Sequence, residues 1–564
     1  MKLDAARLIR AVEIKDDNYS GAVTNKWSNP DILPLPPSRR RWGYSDYLFF
    51  LSISNLCIST WTTASSLLSL GLSVGETLGV IVVSNAAIAG LMLANGWIGG
   101  RWHIGYTVSQ RITLGMVGAY IGIVIRIVLS VVWYASQAWL GGLAITCILA
   151  SWSRSFLTMH NTLPQSAHMV TRDLTGFTIF QVISLPLLFI RPERIRGPMV
   201  VSNVASFFVM LGITIWACSK GGTGPLMHQG TTTHPDGMSH GWAWVYGITS
   251  TVGSLCAGIL NQADFTRFVR SQGIQVPGSL FSPLIPGIIV PVFGLLTASA
   301  SVTIYGGDPI WNPLDLVIKW LTVDFSATSR AAAFFCGLGF AISQFSQNIA
   351  SNGYSAGMDL SGLFPKWINI RRGSIICALL SWVVQPWLFY NTSSVFMATM
   401  SSFSVFLAPL TGIMICDYYL LRRGRIELSN LYTPSKEGAY WYSSGFNWRA
   451  VITWIIGFVP AMPGMIATLN GHITVSLGGM QYYWGNYIFG FFEGVILYYV
   501  LMKIFPPPRV GLVDEIDVYG TFTEPASKVD GQDADTEASG NSNGNGNADN
   551  NGYDGKNPKV TASV

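Results

Sequence analysis

Residues Arg126 to Gly142 read R-I-V-L-S-V-V-W-Y-A-S-Q-A-W-L-G-G, inside an apolar segment running from about 118 to 148. A helix of that length crosses a hydrocarbon core of about 30 Å. On it Trp133 and Gln137 lie four residues apart, on one face and one turn from each other. An indole plane beside a carboxamide can stack a flat heterocycle and hydrogen-bond its edge: one apolar platform with a few fixed polar groups. An aromatic ring and a glutamine packed between neighbouring helices give the same spacing. The remainder of the chain decides between the two.

The chain is 50% hydrophobic and only 11% charged, against about 25% charged in soluble domains, and its mean hydropathy is +0.39. Several apolar runs exceed about 18 residues, so the chain reads as an all-α polytopic membrane protein. Its formal net charge of +5 points to no nucleic-acid partner, because the basic residues sit at helix ends and not in one patch. The seven cysteines fall in or beside apolar segments with no CxxC, which argues against a disulfide framework or a zinc site. The charged N-terminus, with Asp4, Arg7, Arg10, Glu13 and Lys15, does not read as a cleavable signal peptide. No nucleophile–base pair or H-E-x-x-H spacing marks an enzyme, and no metal or cofactor is expected.

Twelve spans are predicted, at roughly 47–71, 76–98, 118–148, 174–191, 198–218, 242–262, 279–304, 330–353, 373–390, 394–416, 450–468 and 483–505. Residues 1–45 form a polar, Pro-rich N-terminal tail ending at Arg39-Arg40-Arg41, which holds that side in the cytoplasm. With the N-terminus inside, basic residues favour the inner loops by about three to one, and an even span count returns the C-terminus to the same side. Residues 46–508 are thus the transmembrane domain, with core repeats at about 46–218 and 242–416 and two last helices at about 450–505. Residues 509–564 turn acidic and then Asn/Gly-rich, and are expected to be a disordered cytoplasmic tail.

Polar groups inside the spans mark the working parts. The first span, S-I-S-N-L-C-I-S-T-W-T-T-A-S-S-L-L-S-L-G (Ser52 to Gly71), crowds hydroxyls around Asn55, as a helix unwound at mid-membrane requires. The sixth carries Gly247, Gly253 and Gly258. Two interrupted spans five apart fit a five-plus-five inverted repeat with the substrate site between them. Small residues that permit close helix packing explain the same glycines equally well. In the eighth span Gln344, Gln347, Asn348 and Asn352 are costly in lipid and should face protein or a water-filled cavity. Asn348, whose amide both donates and accepts, is the expected substrate ligand there.

Five motifs occur in order: N-P-D-I-L-P (from Asn29), W-Y-A-S-Q-A-W-L-G-G, N-T-L-P-Q-S-A (Asn161 to Ala167), N-Q-A-D-F-T-R-F (Asn261 to Phe268) and S-A-G-M-D-L-S-G-L-F-P-K-W-I-N-I-R-R-G (Ser355 to Gly373). With them the chain resembles the fungal branch of the nucleobase–cation symporter-1 family over about residues 28 to 505. The resemblance implies a LeuT-like fold of ten core helices plus two. It implies a plasma-membrane transporter for ring compounds: uracil, uridine, allantoin, hydantoins, thiamine or nicotinamide riboside. It places the substrate residues at Trp133, Gln137 and Asn348; Asn55, among the hydroxyls of the first span, is a further substrate-binding candidate. In the sixth span it puts Leu255 where uracil and allantoin carriers often have lysine. W-A-W-V-Y, R-A-A-A-F-F-C-G-L, S-A-G-M-D-L and M-I-C-D look like the thiamine branch.

Proton coupling is implied too. Sodium-coupled members use adjacent hydroxyl residues a turn and a half before the asparagine, where this chain has Ile342-Ser343. Asp264 and Asp359 are the expected gating or coupling carboxylates, paired with Arg267 or Lys366. The acidic start of the C-tail beside Lys528 resembles a ubiquitin-ligase adaptor site. A non-transporting nutrient receptor is the reading from another class.

Overall fold

The computed structural model describes residues 13–14, 24–190, 195–230, 234 and 237–522. Among them there is no strand, only two isolated bridges, Trp42 with Val269 and Ser443 with Phe446. The principal helices, in chain order, are α1 (Tyr44–Asn55), α2 (Ile58–Ser66), α3 (Val74–Trp102), α4 (Tyr106–Leu114), α5 (Ala119–Trp152), α6 (Thr171–Leu187), α7 (Arg196–Gly221), α8 (His240–Leu260), α9 (Gln262–Thr266), α10 (Gln275–Leu284), α11 (Pro286–Tyr305), α12 (Pro313–Val323), α13 (Ala327–Gln347), α14 (Tyr354–Leu363), α15 (Ile370–Leu380), α16 (Ser393–Ile415), α17 (Trp448–Phe458), α18 (Met462–Leu469), α19 (Leu477–Trp484) and α20 (Asn486–Ile504). A helix, straight or broken, lies in each of the twelve expected spans, and among the described residues eight stretches are long and apolar enough to cross a membrane.

The breaks have local causes. Between α1 and α2, Cys57 is extended (φ −140°, ψ 163°). The carbonyls freed there are taken by nearby side chains. Cys57 Sγ and Thr60 Oγ1 reach the Ser54 carbonyl at 3.2 and 3.1 Å, and Ser343 Oγ reaches that of Leu56 at 3.4 Å. This is the expected use of hydroxyls at an unwound helix. Between α10 and α11, Pro286 has no N–H for the Ser282 carbonyl.

In the sixth span the expected position of the interruption is wrong. Helix α8 runs unbroken through Gly247, Gly253 and Gly258 and ends at Asn261. A methyl at Gly253 would lie 2.7 Å from the Met400 carbonyl, and one at Gly247 3.1 Å from Val80. These two glycines serve close packing, against α16 and α3. The eighth span holds a turn the sequence did not announce. Residues Asn348–Gly353 form a π-helical turn between α13 and α14, which widens the helix locally and rotates the side chains that follow.

The broken pairs α1/α2 and α8/α9 lie five spans apart, one in each repeat. Helix α5 packs along α13, α3 against α8 and α10, α2 against α11, and α8 against α16, which is backed by α20. The space between α1/α2, α8/α9, α5 and the π-helical turn is the cavity described next.

Both tails depart from expectation. Residues 24–43 are packed in place. The buried Asn29 side chain donates to Ser361 Oγ and the Pro365 carbonyl, each at 2.9 Å, and Asp31 Oδ2 accepts from the Ile370 N–H at 3.2 Å. Residues 509–522 pack as well. Arg509 meets Glu427 at 2.8 Å, Asp514 accepts from the Ser429 N–H at 3.0 Å, and Tyr519 and Phe522 lie edge-on to Tyr432 and Trp102. Tyr519 and Phe522 supply the apolar surface that an Asn/Gly composition lacks. The remainder of the C-tail, with Lys528, lies outside the described residues.

Candidate substrate site

A polar-lined cavity is walled by residues of α1, α2, α3, α5, α8, α9, α11, α13 and α14 and of the π-helical turn. Trp133 and Gln137 both line it, as their four-residue spacing on α5 requires. The Trp133 ring is half-buried and tilts against Phe403, with centroids 5.9 Å apart, and Gln137 Oε1 has no protein partner. Leu255 lines the cavity from α8 and Asn55 from the end of α1.

Asn348 is not on the wall. The π-helical turn sets it one layer back, 1% exposed, where its Oδ1 accepts from Asn352 Nδ2 at 3.1 Å. Gln347, Ser351 and Asn352 face the cavity instead. Asn352 also reaches the Trp133 carbonyl at 3.5 Å, and Ser351 Oγ lies 3.3 Å from Ser54 Oγ beside the first-span break.

Arg126, the first residue of the stretch quoted at the outset, is a charged lining residue. Its Nη2 lies 3.2 Å from Asp359 Oδ2, and both side chains are almost wholly buried. Ser130 Oγ donates to the same oxygen at 3.0 Å, and Arg126 Nη1 donates to the Ala257 carbonyl at 3.1 Å. Asp359 is therefore tied to Arg126, not to Lys366, which sits beyond the end of α14 and pairs with Glu13 at 2.8 Å. Nor do Asp264 and Arg267 form an ion pair among the described residues. Asp264 Oδ1 accepts from the Tyr106 N–H at 2.8 Å, and Arg267 Nη1 donates to the Asp31 carbonyl at 2.8 Å. Arg267 thus clamps the N-terminal segment over the end of α9.

Two broken helices facing each other across a polar-lined cavity are the arrangement of a membrane transporter of the five-plus-five kind. Residues 34–490 match the family described as permeases for cytosine/purines, uracil, thiamine and allantoin, and the chain belongs to that family. It is 37% identical to a thiamine transporter of Saccharomyces cerevisiae over 93% of this chain and 87% of that one. With nicotinamide riboside transporter 1 of the same yeast the identity and the two shares are the same, and with its allantoin permease the identity is 30%, over 88% and 78%. Among solved structures, the fold resembles that of Mhp1, a nucleobase-cation-symport-1 family transporter closed around bromovinylhydantoin. The TM-score is 0.65 at 22% identity, over 85% of this chain and 96% of that one.

Proposed function

We propose that this transporter carries a small cationic heterocycle, thiamine first and nicotinamide riboside second, into the cytoplasm together with a proton. The observation that carries this reading is the charge balance of the cavity. Among its described lining residues Arg126 is the one ionic side chain, and Asp359 neutralises it. Leu255 occupies the wall where a lysine would repel a fixed positive charge. Two unit charges about 4 Å apart at an effective dielectric of about 20 repel by roughly 4 kcal/mol. Trp133 offers an indole face that attracts cations. Gln137 and Asn55 read amino or hydroxyl groups, and Asn348 acts through Asn352. Asp359 and Asp264, with Arg267, serve coupling and the inner gate. The termini lie in the cytoplasm and the protein in the plasma membrane.

Uptake into yeast lacking endogenous carriers tests this, with thiamine, nicotinamide riboside, uracil, uridine and allantoin as competitors. Inhibition by the two cations at concentrations where the neutral compounds have no effect is expected. The opposite order assigns the protein to neutral nucleobases or allantoin. Binding without any uptake makes it a receptor.

A further inference from the structure

The wall formed by α1, α3 and α11 carries polar groups of its own. Asn55 closes α1 and Asn85 lies midway along α3, both buried and both lining the cavity. Their amide nitrogens are committed to the seventh span. Asn55 Nδ2 donates to Ser282 Oγ at 2.8 Å, whose hydroxyl passes on to the Leu51 carbonyl at 2.7 Å. Asn85 Nδ2 donates to the Gly287 carbonyl at 2.8 Å. With the nitrogens fixed, the two amide oxygens are turned to one place. A methyl on Gly287 would meet Asn85 Oδ1 at 3.1 Å, Asn55 Oδ1 at 3.2 Å and the Ser282 carbonyl at 3.2 Å. That carbonyl has lost its helical donor to Pro286. Asn55 Oδ1 is 1% exposed by residue and has no partner.

Asparagines that served only to join helices would have both ends satisfied, because an unpaired amide oxygen in a span is costly. Here the donor ends join helices and the acceptor ends converge on Gly287, which lines the cavity. We infer that Asn55, Asn85 and the Gly287 face form a second substrate subsite, which accepts hydrogen bonds from an amino or hydroxyl group on a two-part substrate whose flat ring lies against Trp133. The subsite holds acceptors and no ionic group, so it selects donor-bearing moieties and rejects an anionic tail. Gly287 is required because any side chain would fill the space in front of the three oxygens. The inference rests on Trp133 holding the ring, as proposed above.

The test compares each two-part compound with its ring alone on the solubilised full-length transporter: thiamine with 3,4-dimethylthiazolium, nicotinamide riboside with 1-methylnicotinamide, and uridine with uracil. In the wild type at least one two-part compound binds ten or more times tighter than its ring. Gly287→Ala, which removes neither amide donor bond, and Asn55→Ala abolish that advantage and leave the ring's own affinity within twofold. Trp133→Ala weakens compound and ring together. If Gly287→Ala weakens both equally, or if no two-part compound outbinds its ring, there is no second subsite. If only Trp133→Ala is silent, the ring platform is wrong while the donor subsite stands. If the uridine pair alone responds, the cation reading fails and the subsite still holds.

Discussion

Trp133 and Gln137 can be tested separately from the fold by reading uptake beside surface expression. Trp133 is half-buried at the cavity edge, and the Gln137 amide oxygen is unpartnered. Stacking on an aromatic plate, or one buried hydrogen bond, is worth about 1–3 kcal/mol each. Trp133→Ala and Gln137→Ala should therefore each raise the half-saturating substrate concentration about tenfold to a hundredfold, with surface expression of a fluorescent fusion unchanged. Wild-type kinetics in both variants would remove them from the site. Leu255→Lys probes charge on the α8 wall. It should depress uptake of a thiazolium or pyridinium compound by a hundredfold or more, and uptake of a neutral base far less. Equal losses for both would mean that the lysine blocks space instead of repelling charge. These two positions were legible in the sequence because α5 and α8 are regular helices where they meet the cavity. Asn348 stands behind the cavity-lining Asn352, and Asn85 passed unnoticed in a span whose other residues read as plain membrane helix.

The broken elements set what couples to transport. Where α1 gives way to α2, the freed carbonyls are bonded by side chains of the protein itself. Ser343 donates to Leu56 from the eighth span, at the position where sodium-coupled relatives are expected to offer two neighbouring hydroxyls. Ile342 supplies no second one. A carbonyl already holding a hydroxyl proton, with an alkyl group beside it, makes a poor ligand for a hard cation that wants about six oxygens. Replacing external sodium by N-methylglucamine should thus leave initial uptake within about 20% of control, and a protonophore should abolish it. A strict sodium requirement would overturn the proton assignment. Most element positions were readable from apolar length alone, since an unsatisfied backbone in lipid forces helices. The exact breaks were not. Glycines in the sixth span suggested an interruption at their own positions, but close approach of α3 and α16 explains Gly247 and Gly253, and the chain opens later, at Asn261. The π-helical turn leaves no compositional mark, because widening a helix by one residue needs no special side chain.

At the scale of the whole molecule, residues 24–43 and 509–522 cover the same end of the helix bundle, and the C-terminal residues can be tested in two parts. Arg40 Nη1 donates to the Thr521 carbonyl at 2.8 Å, joining one tail to the other. Tyr432 lies beneath both, its hydroxyl donating to the Ile32 carbonyl at 3.1 Å and its ring meeting Tyr519. Removing residues 509–522 strips the partners from Glu427, Ser429, Tyr432 and Trp102, all on the cytoplasm-facing surface by the proposed topology. Truncation after Pro508 should therefore lower both uptake and the melting temperature of the purified protein. Truncation after Phe522 keeps every one of those contacts and should leave transport and melting unchanged. It removes Lys528 and the Asn/Gly-rich remainder, so, on the adaptor reading, the transporter should leave the surface more slowly when substrate is added. The two truncations separate a structural strap from a regulatory tail. Should both behave as wild type in transport and melting, the packing of residues 509–522 contributes nothing to stability. Should removal from the surface proceed at the wild-type rate after loss of residues 523–564, the adaptor does not dock there.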